Sequence, residues 1–106
     1  MSKDSQPKIE GYWNNAKNDY PEYRMPVEND TPWPGQTKFL TALTKVQATT
    51  HKVYYKGWSG CRLCGEHNGS AEFKSKEWIW PAGLRHYVEQ HNVKPSPEFI
   101  AYILGA

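Results

Sequence analysis

Apolar positions recur with a helical period in three stretches of the chain. Phe39, Leu40, Leu43 and Val46, with Gln47 beside them, fall on one face and predict a helix over about 36–48. The Pro34-Gly35 turn or Thr37 starts it, and the β-branched pair Thr49-Thr50 ends it. Leu84, Tyr87, Val88 and His91 mark a second helix over about 82–91, with Pro81 suited to its first turn and Asn92 to a left-handed stop. Phe99, Ile100, Ile103 and Leu104 mark a short third one, with Ser96 as cap and Pro97 at the first position. Between the first two, the pattern turns to β-formers. His51-Lys52-Val53-Tyr54-Tyr55-Lys56 reads as a strand, broken where Gly57 and Gly60 bracket Trp58. Ala71-Glu72-Phe73 and Trp78-Ile79-Trp80 read as two short strands joined through Lys74-Ser75-Lys76-Glu77, and Asn68-Gly69 reads as a hairpin turn.

Residues 1–34 show no period. They are rich in Asn, Asp and Pro, yet carry Tyr12, Trp13, Tyr20, Tyr23 and Trp33. A disordered tail would be poor in such rings. An extended arm that docks its rings on the rest is expected, closed by the turn Pro32-Trp33-Pro34-Gly35. The reading is an α+β fold in which an irregular arm, 1–34, precedes one domain, 35–106, of short antiparallel hairpins packed on two or three helices.

Composition sharpens this. With 106 residues, 38% hydrophobic and 14% aromatic, the core must come from a few large rings. A domain of this size has little stability to spare, and a bound metal would add a constraint. No apolar run approaches the length of a membrane span. The polar start Met1-Ser2-Lys3-Asp4-Ser5-Gln6-Pro7 lacks a signal core, so a cytoplasmic location is expected. Two Cys so close together do not make a disulfide scaffold. Net charge is only +2, but residues 32–106 hold nine basic and five acidic side chains. That permits an anionic partner without demanding one.

The chemistry concentrates near the C-terminus. Cys61, Cys64, His86 and His91 form a C-x2-C-x21-H-x4-H pattern. Thiolate and imidazole donors in two tight pairs can close a tetrahedron around Zn²⁺, and four protein ligands make such a site structural. Gly65, just after the second cysteine, suits a positive φ. Residues five apart lie about 140° apart around a regular helix, so His86 and His91 converge only if the last turn loosens. His67 is an alternative ligand and His51 a weaker one.

These residues resemble the broad class of CCHH zinc-binding modules, in which a cysteine knuckle and hairpin pack on a helix carrying His. The resemblance covers about residues 53–92 and implies a metal-stabilised fold. The interval of twenty-one residues between the pairs is longer than in the familiar finger. It carries no function by itself.

Enzymatic readings find little support. A redox C-x-x-C would open a helix after a strand, whereas this pair lies between Gly60 and Gly65. A zinc deaminase needs H-x-E, and no His here is followed two residues later by Glu. A metal-dependent nuclease or other hydrolase would need an open metal site, although His67-Asn68 and His91-Asn92 supply suggestive letters. The expectation is therefore a non-enzymatic interaction module that binds a protein partner through Trp13, Tyr20, Tyr23, Trp33 and Trp58. The alternative is nucleic-acid binding through Lys52, Lys56, Arg62, Lys74, Lys76 and Arg85, interleaved with stacking rings.

Overall fold

The computed structural model describes residues 7–14, 17–19 and 21–105, with the side chains of 55–59 excepted. Along the chain come β1 (Lys8–Ile9), α1 (Gln36–Thr49), β2 (His51–Gly60), β3 (His67–Lys74), β4 (Trp78–Pro81), α2 (Leu84–His91) and α3 (Pro97–Gly105). The sheet runs in the order β1-β4-β3-β2. The β2–β3 and β3–β4 pairs are antiparallel, and β1 joins β4 in parallel. The fold is thus α+β, with three helices on a small mixed sheet.

The helices follow the apolar pattern closely. Gly35, at φ 88°, sets the start of α1, and no side chain caps it. That favours the Pro34-Gly35 turn over Thr37. Phe39 and Leu43 are wholly buried on its inner face. In α3, Ser96 caps as expected: its Oγ accepts from the Phe99 N–H at 3.3 Å. The same hydroxyl donates to Glu10 Oε1 at 2.7 Å, while the Ser96 N–H donates to Oε2 at 3.1 Å. A buried carboxylate from beside β1 therefore sits at the positive end of α3, where the helix dipole favours it.

The Asn68-Gly69 turn is not formed. These residues lie inside β3, with Gly69 paired to Ser59, and the chain reverses at the cysteines instead. Gly69 has φ 145°, and a Cβ there would lie 3.2 Å from both Ala82 Cβ and the Gly83 nitrogen. The glycine thus permits a close approach of β3 to the segment before α2 rather than a tight loop.

The core is aromatic. Phe73 and Trp80 are cross-strand partners whose rings stack with centroids 5.7 Å apart. Trp78 and Trp80 meet Phe99 edge-on, at 5.1 and 5.3 Å. Trp80 Nε1 donates to Gln47 Oε1 at 3.0 Å, which satisfies the polar edge of a fully buried ring. Two arm rings join this core. Trp13 meets Tyr87 edge-on at 4.5 Å, and Trp33 packs near Phe39 and donates from Nε1 to the Val93 carbonyl at 3.1 Å.

Candidate metal centre

The β2–β3 connection is a knuckle. The Gly65 N–H donates to the Cys61 carbonyl at 2.9 Å, and the Cys61 N–H donates to the Glu66 carbonyl at 2.8 Å. Gly65 takes φ 79°, the positive value expected of it. The fold-back aims both sulfurs at one point, and the Leu63 N–H donates to Cys61 Sγ at 3.4 Å. Tyr87, on α2, braces the turn: its hydroxyl accepts from the Arg62 N–H at 2.7 Å. Burial pushes that phenol up to about 12, so it stays neutral.

The histidines come from the two ends of α2, which is only 8 residues long. Its last turn is wide. The Asn92 and Val93 N–H groups both donate to the Tyr87 carbonyl, five and six residues back rather than four. Asn92 then stops the helix at φ 54°. This loosening resolves the angular problem, and the His86 and His91 ring centroids lie 5.2 Å apart.

The result is one cluster. Donor atoms of Cys61, Cys64, His86 and His91 lie within 4.8 Å of one another, and His67 and His51 are not part of it. Cys64 Sγ and His86 Nε2 stand 3.4 Å apart. A tetrahedral ion with bonds of about 2.0–2.3 Å needs donor separations of roughly 3.3–3.8 Å, so small side-chain rotations suffice. His91 Nε2 is buried and has no hydrogen-bond partner. An orphaned imidazole nitrogen among two sulfurs and a second imidazole fits a metal ligand.

Glu28 fixes the other side of that ring. His91 Nδ1 lies 2.7 Å from Glu28 Oε2, which makes Nδ1 the protonated nitrogen and leaves the Nε2 lone pair for an ion. Three further hydrogen bonds hold the arm against the end of α2, and one holds the start of α1 there. The Asn29 N–H donates to the His91 carbonyl at 3.1 Å, Asn29 Nδ2 to the Asn92 carbonyl at 3.0 Å, Asn92 Nδ2 to the Asn29 carbonyl at 3.0 Å, and Gln36 Nε2 to Asn92 Oδ1 at 3.0 Å.

The electrostatics separate the two thiols. Burial raises Cys61 above the ordinary thiol value, against the pull of the Leu63 and Cys64 N–H groups. Exposed Cys64 is held below it, first by the Glu66 N–H and then by His91. Burial lowers His86, with His91 adding to the effect. At His91 burial acts downward, but Glu28 and Cys64 outweigh it and the net shift is upward.

The residues expected to contact partners fare unevenly. Trp13 and Trp33, at 4% and 9% exposure, are core rings and correct the expectation of an open surface there. They are buried because their partners, Tyr87 and Val93, lie on the part of the chain that carries the Cys2His2 cluster. Tyr23 is half-buried and meets Tyr12 at 6.3 Å. Tyr20 and the side chains of Trp58 and Lys56 lie outside the described residues. Among the basic candidates, Arg62 donates to the Trp13 and Gly60 carbonyls at 3.2 and 3.0 Å. Arg85 donates to Thr44 Oγ1 at 2.8 Å and pairs with Glu89 at 3.4 Å. Both arginines thus tie elements together. Lys52 lies over the Tyr54 and Phe73 rings, Lys74 pairs with Glu72, and Lys76 is exposed in the β3–β4 turn.

Glu28 is the site residue that sequence reasoning missed. It stands 63 positions from His91 in a segment without period, and nothing local marks it. No protein-family model, curated protein or solved structure matches this chain.

Proposed function

We propose that this chain is a non-enzymatic interaction protein whose fold is closed by a structural Zn²⁺ at Cys61, Cys64, His86 and His91. The observation that carries the reading is the convergence of four protein donors with His91 Nε2 otherwise orphaned. Two thiolates with two imidazoles suit zinc best among common metals. When bound, the ion supplies a covalent-strength tie between knuckle and helix. Four protein ligands leave no position for a reacting water.

The partner reading narrows to the surface around Tyr23. A groove of about 710 Å³ runs between the arm and the start of α3, with Tyr12, Tyr23, Trp78 and Ile9 along it. Lys8, Arg24 and Lys94 stand on its rim with Glu22 and Glu98, a mixed charge that suits a polypeptide better than a polyanion. The Lys8 N–H bonds to the Glu77 carbonyl just before β4, and the Glu10 N–H to the Ile79 carbonyl within it. By strand alternation the Ile9 N–H and C=O point away from it, open to an added strand. An extended segment of a partner protein is the occupant this favours.

Native mass spectrometry of the purified chain should show one zinc, lost on chelation. A photo-crosslinker at Tyr23 should then trap a discrete partner in the source cell, and Ile9→Pro should abolish the adduct without lowering the melting temperature. A metal-free native protein would refute the zinc reading. A crosslink pattern unchanged by Ile9→Pro would refute the groove.

A further inference from the structure

A second cleft lies at the far end of β2 from the cysteines. It encloses about 400 Å³ between the end of α1, the start of β2 and the end of β3. Lys45, His51 and Lys74 line it, and among the described residues no acidic one does. His51 and Lys74 are directly opposed across the β2–β3 ladder. Placing two basic side chains opposite each other, with a third on the adjacent helix, opposes folding when all carry charge.

Little in the protein neutralises these groups. The chain from Thr31 to Gly65 contains Lys38, Lys45, Lys52, Lys56 and Arg62 and not one Asp or Glu. Among the described residues, the side chains of Lys45 and His51 make no ion pair or hydrogen bond. Lys74 lies 3.5 Å from Glu72 Oε2, but that carboxylate also accepts the Tyr12 hydroxyl, and an exposed pair at this distance is weak. The remaining polar groups of the cleft are already used. The Thr49 and Thr50 hydroxyls both donate to the Val46 carbonyl, covering the negative end of α1. Ser75 Oγ donates to the Trp78 carbonyl. Tyr102 differs: its ring is wedged against Trp78, Trp80 and Phe99, while its hydroxyl has no partner among the described residues. Two ammonium groups, an imidazole N–H and a firmly seated phenol therefore surround one space.

We infer that this cleft binds the phosphoryl group of a small molecule. The donor set matches a tetrahedral anion with several acceptor oxygens. The cleft is a point site rather than a track: Arg62 lies beyond the opposite end of β2, and Arg85 is bound to Thr44 and Glu89. The inference does not depend on the metal reading, since none of its residues belongs to the cluster.

The zinc-loaded full chain titrated with pyrophosphate tests it, followed by ¹⁵N–¹H chemical shifts. Saturable shifts should centre on Lys45, His51 and Lys74, and Lys45→Glu or Lys74→Glu should weaken binding by at least about tenfold with a melting temperature no lower than that of the parent chain. Parallel titrations with inorganic phosphate and with a nucleoside diphosphate distinguish a free anion from a nucleotide as the source. Absent or non-saturating shifts, or shifts indifferent to both substitutions, would overturn the site. So would a single-stranded oligonucleotide that binds through these lysines while pyrophosphate does not.

Discussion

His91 shows how one side chain can be set to hold a metal. Its Nδ1 is engaged by Glu28 at 2.7 Å and its Nε2 is left bare in the interior. A carboxylate behind a ligating imidazole fixes the tautomer and raises the basicity of the other nitrogen. Glu28→Gln should therefore weaken zinc affinity by about 10- to 100-fold in competition with a chromophoric chelator, with the metal-saturated fold unchanged. Glu28→Asp should recover part of that loss. An affinity equal to the parent chain in Glu28→Gln would show that the pair is only a surface contact. The four clustered residues were legible because their spacing is local to a knuckle and a helix. Glu28 was not, because a contact spanning 63 residues leaves no periodic trace.

At the level of elements, the site depends on how closely β3 approaches α2. Asn68-Gly69 looks like a hairpin turn because glycine there signals a backbone other residues avoid. That signal was correct in kind: Gly69 does adopt φ 145°, but inside a strand, to admit Ala82 and Gly83. The Ala82 N–H then donates to the Ala71 carbonyl at 2.9 Å, which seats the start of α2 over the sheet. Gly69→Ala should cost about 1–3 kcal/mol in denaturant unfolding of the metal-loaded chain, through strain and the close contacts. An unchanged midpoint would mean that this approach is slack. The helices themselves were legible almost to the residue, since a 3.6-residue apolar face needs no tertiary information. The wide last turn of α2 was legible only indirectly, as the requirement that two His five apart meet. The parallel pairing of β1 with β4 was not legible, because a strand of 2 residues has too few positions for a pattern.

Across the whole molecule, two sources of order reinforce each other. A core of Trp80, Phe39, Phe99 and Leu43 joins sheet to helices, and the arm rings Trp13 and Trp33 extend it. Those arm rings read as candidate contacts because a single sequence does not distinguish a ring that packs from one that binds; their distant partners decide it. The Cys2His2 cluster lies where knuckle, α2 and arm meet, so an ion there would tie all three. No helix among the described residues is long and apolar enough to cross a membrane. The most direct measurement is the near-ultraviolet circular dichroism of the tryptophans during chelation and zinc return. A structural zinc at this cluster predicts that the fixed-environment signal and the cooperative melt are lost when zinc is stripped under reducing conditions, and that both return at one equivalent of zinc. A spectrum and melting curve indifferent to the chelator would contradict it.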